Sequence, residues 1–236
     1  VNYAHRGASS YAPENTMASF KKAIQLGANG IELDLRQTKD GKIVVFHDKV
    51  IDKKSNGIGK IKNYTYQELY KLDFGSWFSK NFKGEHIVLF ESFAKEFLIL
   101  DLNLAIEIKV RGIEKQVLDI VNKCKTHDNI YITSFKYDIL ENVRKLDKNI
   151  KISWLVEKIN QDNINKILRI SGNQICPKAN LVTKKDIALA KSNKLGVRLW
   201  GVSDENLMKK VFNYDIEGMA VNFPDKLLEI MNFRDK

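Results

Sequence analysis

Residues 30–48 read Gly-Ile-Glu-Leu-Asp-Leu-Arg-Gln-Thr-Lys-Asp-Gly-Lys-Ile-Val-Val-Phe-His-Asp. Strand side chains alternate between faces, so Ile31, Leu33 and Leu35 share one side while Glu32 and Asp34 share the other. In a barrel the apolar side packs against helices and the two carboxylates look inward. Asp40-Gly41 is a hairpin turn signal, and beyond it Ile43–His47 reads as a second strand that ends on His47-Asp48.

The same alternation of short apolar runs with helix-period segments extends outward in both directions. Strands are predicted at Asn2–His5, Gly30–Leu35, Ile43–His47, Leu104–Lys109, Ile130–Ser134, Lys151–Val156, Gln174–Cys176, Val197–Val202 and Gly218–Asn222. Helices fit Asn15–Leu26, Gly112–Lys125, Lys136–Leu146, Asn160–Ile170, Thr183–Asn193, Glu205–Asn213 and Asp225–Met231. Thr183 with Asp186, and Asp204, are caps, and Gly27 and Gly196 lie near helix ends. Strand–helix repeats imply a parallel sheet with helices outside, and eight repeats would close a barrel. Nine strand candidates are one too many. Around Asp40-Gly41 there is either a short β extension or a crossover without a helix.

The stretch from Lys49 to Leu100 is too long for a structureless loop in a compact domain. It holds a capping box, Thr65 to Glu68, and aromatic residues at Phe74, Trp77, Phe78 and Phe82. It reads as a small helical insertion placed to cover a substrate, or as a peripheral elaboration. The rest is one domain spanning residues 1–236, with the insertion at about 49–100.

Thirty-nine Lys and Arg against 29 Asp and Glu give a net charge of +10, which favours anionic partners. The lysines are dispersed and form no block with interleaved aromatics, so a specific nucleic-acid partner is not expected. No apolar run approaches the roughly 20 residues of a membrane span. Cys124 and Cys176 lack metal-type spacing and read as reduced thiols, which points to the cytoplasm. The chain opens at Val1 directly into a strand, so an upstream segment is expected to have been removed. A signal peptide or membrane domain there would give an exported or membrane-attached form. The pattern sets no oligomeric state.

Four groups of polar residues end predicted strands: His5-Arg6-Gly7, Glu32-Leu33-Asp34, His47-Asp48 and Glu107-Ile108-Lys109. Charges pointing into a barrel are costly unless paired or bound to a metal. Glu32, Asp34 and Glu107 with one lysine leave an excess of carboxylate, and oxygen ligands select a hard cation, Mg2+ or Ca2+. The bland alternative is a buried ion-pair cluster. His5 and His47 suit general acid–base work near such a cation, whereas His86 and His127 sit in polar loops. Arg6 and Lys109 can neutralise the charge of phosphoryl transfer.

These motifs, with Pro13-Glu14-Asn15-Thr16, Leu72-Asp73-Phe74-Gly75-Ser76-Trp77-Phe78 and Trp200, resemble the glycerophosphodiester phosphodiesterase family in order and spacing. The resemblance covers nearly the whole chain. It implies an α/β fold, a TIM (β/α)8-type barrel with a small insertion after the third strand. It also implies hydrolysis of a small-molecule glycerophosphodiester to glycerol 3-phosphate and an alcohol. Glu32, Asp34 and Glu107 would hold one divalent ion, His5 and His47 would be acid and base, Arg6 and Lys109 would grip the phosphate, and Trp200 would pack on the glycerol. The nucleophile is either water or the substrate's own hydroxyl, the latter giving a cyclic phosphate. The chain departs from the family pattern at Ile51-Asp52-Lys53-Lys54-Ser55, Val88-Leu89-Phe90-Glu91, Gly201 and Val221-Asn222. These positions are expected to surround the pocket without touching the proposed metal, histidine or phosphate residues. Alternatives on the same barrel are phospholipase D-like cleavage of lysophospholipids, phosphatidylinositol cleavage of the phospholipase C type, and a non-catalytic anion-binding barrel.

Overall fold

A computed structural model describes residues 1–123 and 128–234. Cys124 and His127 lie outside the described residues. The strands are β1 (Asn2–His5), β2 (Gly30–Gln37), β3 (Ile43–Val45), β4 (Val88–Leu89), β5 (Asn103–Ile108), β6 (Ile130–Ser134), β7 (Lys151–Val156), β8 (Gln174–Pro177), β9 (Gly196–Val202) and β10 (Gly218–Val221). β1 pairs in parallel with both β2 and β10, Ala4 meeting Ile31 on one side and Val221 on the other. Parallel pairing continues β2–β5–β6–β7–β8–β9–β10, so these eight strands close a barrel.

The surplus strand is a β extension. β2 runs two residues past its predicted end, and Leu35, Arg36 and Gln37 pair antiparallel with Val45, Val44 and Ile43. The Asp40-Gly41 turn closes with Gly41 N–H donating to Thr38 O at 3.1 Å. β4, which was not foreseen, pairs antiparallel with the other edge of β3.

The helices are α1 (Met17–Gln25), α2 (Tyr66–Tyr70), α3 (Phe90–Phe97), α4 (Glu114–Val121), α5 (Tyr137–Leu146), α6 (Gln161–Arg169), α7 (Lys184–Ser192), α8 (Glu205–Phe212) and α9 (Pro224–Arg234). Thr16 and Thr183 cap α1 and α7 through reciprocal boxes with Ser19 and Asp186, and Asp204 caps α8. Ile31, Leu33, Leu35, Ile106 and Ile108 are fully buried in the core that joins the outer barrel face to the helices. α3 belongs to that core: the rings of Phe20 on α1 and Phe93 on α3 meet edge-on at 4.8 Å. It therefore supplies the helix that sequence periodicity lacked between β2 and β5. Phe93→Ala is expected to cost about 3–5 kcal/mol of unfolding free energy, read from urea titrations.

Between β3 and β4 a separate small core gathers Phe46, Ile51, Ile61, Leu69, Phe74 and Ile87. The Thr65–Glu68 box caps α2 as expected. Asp73 organises the next loop, accepting from the backbone N–H groups of Gly75, Ser76 and Gly84 at 2.7–2.9 Å. These bonds, that from Ser76 foremost, hold its carboxyl below the usual range. Gly75 is required there, because a Cβ would lie 1.8 Å from the Phe82 carbonyl oxygen. Among the described residues no helix is long and apolar enough to cross a membrane.

Candidate active site

The C-terminal ends of β1, β2 and β5, with the residue after next from β3, bring the chemically loaded motifs to one cavity. That cavity has a volume of about 330 Å³ and is lined by His5, Arg6, Glu32, His47, Glu107, Lys109, Thr133, Phe135, Leu155, Arg198, Trp200 and Ala220. The barrel geometry explains the position, since strand C-termini and their loops form one face of such a fold. A second concavity of about 310 Å³ lies among Phe212, Tyr214, Ile216, Met219, Leu227 and Met231, and those six side chains offer it no carboxylate, imidazole or cation.

Glu32, Asp34 and Glu107 point inward and are buried, with 6%, 1% and 5% of their surface exposed. One oxygen from each lies within 4.8 Å of the others. Parallel register sets this spacing: Asp34 pairs with Glu107 across β2 and β5. Burial raises the Glu32 pKa to about 8, with Asp34 and Glu107 adding repulsion. Burial likewise raises Glu107 to about 7, with Asp34 contributing. Asp34 also feels burial, but Lys109 and Arg6 outweigh it and hold the carboxyl below the usual range. Three hard oxygen donors, two of them held at unfavourable charge, fit a divalent cation such as Mg2+ or Ca2+.

The cations sit directly on this cluster. Lys109 Nζ lies 3.1 Å from Asp34 Oδ1 and 2.8 Å from Glu107 Oε1. Arg6 Nε lies 3.2 Å from Asp34 Oδ2, and Nη1 donates to Glu14 at 3.1 Å. Arg6 has φ +58°, a left-handed backbone for a non-glycine residue. The turn directs its backbone N–H to both the carbonyl and the carboxylate of Glu32, at 2.9 and 3.1 Å. Gly7 follows at φ +80°, where a Cβ would sit 2.5 Å from Ser19 Oγ. Glu14 also receives Lys54 at 2.8 Å, and Lys54 stands 4.1 Å over the Trp77 ring. The β3–β4 excursion is thereby tied to Arg6. Asn15 donates to Asp34 Oδ2 at 2.9 Å, which gives the Pro13–Thr16 motif a part in the site.

The two histidines flank the cluster. His5 Nε2 is 3.9 Å from Glu32 Oε2, and its Nδ1 is 2.7 Å from Asn222 Oδ1. Loss of hydration, then the Arg6 charge, pushes its pKa down to about 4. His47 Nδ1 is 2.8 Å from Asp48 Oδ1, and burial lowers its pKa too. Burial thus disfavours the imidazolium form at both positions. Arg36 fixes His47 by donating from Nε and Nη2 to its carbonyl oxygen at 2.8 and 2.5 Å. Trp200 Nε1 donates to Val156 O at 3.0 Å, and the Phe135 ring stands edge-on to the indole at 5.0 Å.

One expectation fails here. Asn222, expected only to surround the pocket, is the hydrogen-bond partner of His5. An amide cannot stabilise an imidazolium as a carboxylate does. Asn222→Asp is therefore expected to move the acid limb of the kcat/KM profile up by about one pH unit, as measured with a glycerophosphodiester substrate.

The sequence model of the glycerophosphoryl diester phosphodiesterase family matches residues 5–226. The chain belongs to this family. It is 32% identical over 236 residues to a glycerophosphodiester phosphodiesterase of Caldanaerobacter subterraneus, covering 97% of this chain and 96% of that one. A glycerophosphodiester phosphodiesterase of Bacillus altitudinis is 30% identical, with 97% and 96% covered. Among solved structures, a phosphodiesterase of Oleispira antarctica in complex with the product sn-glycerol-3-phosphate superposes with a TM-score of 0.91 at 24% identity, over 98% and 96% of the two chains. A glycerophosphodiester phosphodiesterase of Thermotoga maritima gives 0.79 at 26% identity, with 98% of each chain covered. The closed parallel barrel is thus the fold of this phosphodiesterase family, and all eight residues expected at the site meet in one cluster or line its cavity.

Proposed function

We propose that this chain hydrolyses glycerophosphodiesters to glycerol 3-phosphate and an alcohol, with one divalent cation on Glu32, Asp34 and Glu107. The observation that carries the reading is the three buried carboxylates within 4.8 Å, with the imidazoles of His5 and His47 lining the same cavity. Bound there, Mg2+ or Ca2+ would supply Lewis acidity and neutralise phosphate charge.

The remaining roles fall to the chain's own side chains. Arg6 and Lys109 hold the phosphate oxygens and offset charge that grows in the transition state. His5, with Nδ1–H donating to Asn222, presents the Nε2 lone pair and takes the proton of the nucleophile. His47 takes up a proton from solvent at Nε2, its Asp48 partner balancing the imidazolium, and delivers that proton to the leaving alcohol oxygen. The nucleophile is water or the glycerol hydroxyl, and 31P NMR of early time points separates them by the presence of a cyclic phosphate. Trp200 and Phe135 give an apolar wall to the glycerol carbons.

The test is product identification from glycerophosphocholine, glycerophosphoethanolamine and a lysophospholipid. Glycerol 3-phosphate from the first two is the expected result. Cleavage confined to the lysophospholipid would overturn it in favour of the phospholipase D-like reading.

A further inference from the structure

Below Trp200 on the inward face of β9 lies Arg198, flanked by Val197 and Leu199, which face the outer core. Only 1% of Arg198 is exposed, and its guanidinium carbon stands 5.2 Å from the Tyr3 ring centre. Its Nε and Nη2 are buried and have no hydrogen-bond partner among the described residues. These two nitrogens form one edge of the guanidinium, presenting two parallel donors. Thr133 also lines the cavity, beside Glu107 in the β5–β6 register, fully buried and with Oγ1 unpartnered. Glu32 and Glu107 act on Arg198 through their field and make no direct bond to it.

Buried charged donors left unmet are costly, and native proteins rarely keep them without a use. We infer that Arg198 and Thr133 form a polar floor that recognises the hydroxyls of the substrate's glycerol unit. The inference rests on the proposed phosphodiester reading. Glu32, Glu107, Arg6 and Lys109 fix where the phosphorus must lie. Arg198 precedes Trp200 by two residues on β9 and so lies deeper in the barrel, backed by the Tyr3 ring. A group of constant size suits this deeper end, and the variable alcohol suits the mouth. Vicinal hydroxyls satisfy the guanidinium edge as acceptors and can donate to Thr133 Oγ1, while Leu155 and Ala220 meet the carbon chain.

The experiment compares kcat/KM for glycerophosphocholine with its two analogues lacking one glycerol hydroxyl, in which 1,2- or 1,3-propanediol replaces glycerol. The wild-type chain is expected to prefer the glycerol substrate over at least one analogue by about 10- to 100-fold. Arg198→Met is expected to lose that factor on glycerophosphocholine and almost none on the disfavoured analogue, so that the preference collapses. Thr133→Val, nearly isosteric, is expected to narrow it by about 3- to 10-fold. Equal losses on all three substrates in Arg198→Met would mark a purely structural or electrostatic role and overturn the inference. If Arg198→Met does not fold, an unchanged preference in Thr133→Val overturns it. Failure of the underlying reading looks different: the wild-type chain would release no glycerol 3-phosphate from glycerophosphocholine.

Discussion

Replacing His5 with alanine, and separately His47, is expected to lower kcat for glycerol 3-phosphate release by about 10²–10⁴-fold each. KM should change little, because neither imidazole is the principal phosphate contact. The expectation rests on their placement at the carboxylate cluster, His5 lying 3.9 Å from Glu32 and both imidazoles lining the same cavity. The double variant should lose little more than the worse single variant, as groups acting in one proton relay are not additive. Steady-state kinetics on purified variants decide this, with circular dichroism confirming the fold. Near-wild-type activity in both single variants would remove the acid–base assignment.

The second large effect concerns the carboxylates. Asp34→Asn is expected to reduce kcat by about 10³-fold or more, since a cation worth several kcal/mol to the transition state would lose a ligand. The same variant should abolish the thermal shift on adding metal. A cation at 100 times its dissociation constant stabilises by about 2.7 kcal/mol, or about 5–10 °C in Tm for a chain of this length. The pH dependence has a definite sign. Glu32 at about 8 and Glu107 at about 7 bind protons in the folded state that the unfolded chain releases near its ordinary carboxylate pKa. Stability of the metal-free protein should therefore be greatest at mildly acid pH and fall as pH rises towards 8. Metal binding must displace those protons, so affinity should climb over the pH 6–8 range. Differential scanning calorimetry at pH 5.5, 7 and 8, with and without cation, reads both trends. A metal-free Tm that rises between pH 5.5 and 8 would contradict the assignment.

Much of this site is legible in the chain because barrel strands obey a strict period of two. Glu32 and Asp34 between Ile31, Leu33 and Leu35 can face only one way together, and Asp40-Gly41 announces the hairpin that carries His47 back over them. The same rule applied to Val197-Arg198-Leu199-Trp200 places Arg198 inward, yet a single cation in an apolar strand gives a weaker signal than paired carboxylates. The role of Asn222 is invisible in sequence because its contact with His5 spans the barrel closure between β10 and β1. Arg36 escapes for a related reason: its hydrogen bonds to the His47 carbonyl depend on the antiparallel register of β2 and β3. β4 has only two residues, too few for any periodicity to show. Position of α3 in the barrel's helical layer depends on how the preceding forty residues fold back, which local pattern does not encode.

The most direct test of the account is release of glycerol 3-phosphate from glycerophosphoethanolamine by chelator-treated protein, before and after titration with Mg2+ or Ca2+. The account expects release to be abolished by chelation, restored by one of the two cations with an apparent stoichiometry near one, and not restored in Asp34→Asn. Full activity in the chelated protein, verified free of metal by elemental analysis, would contradict it.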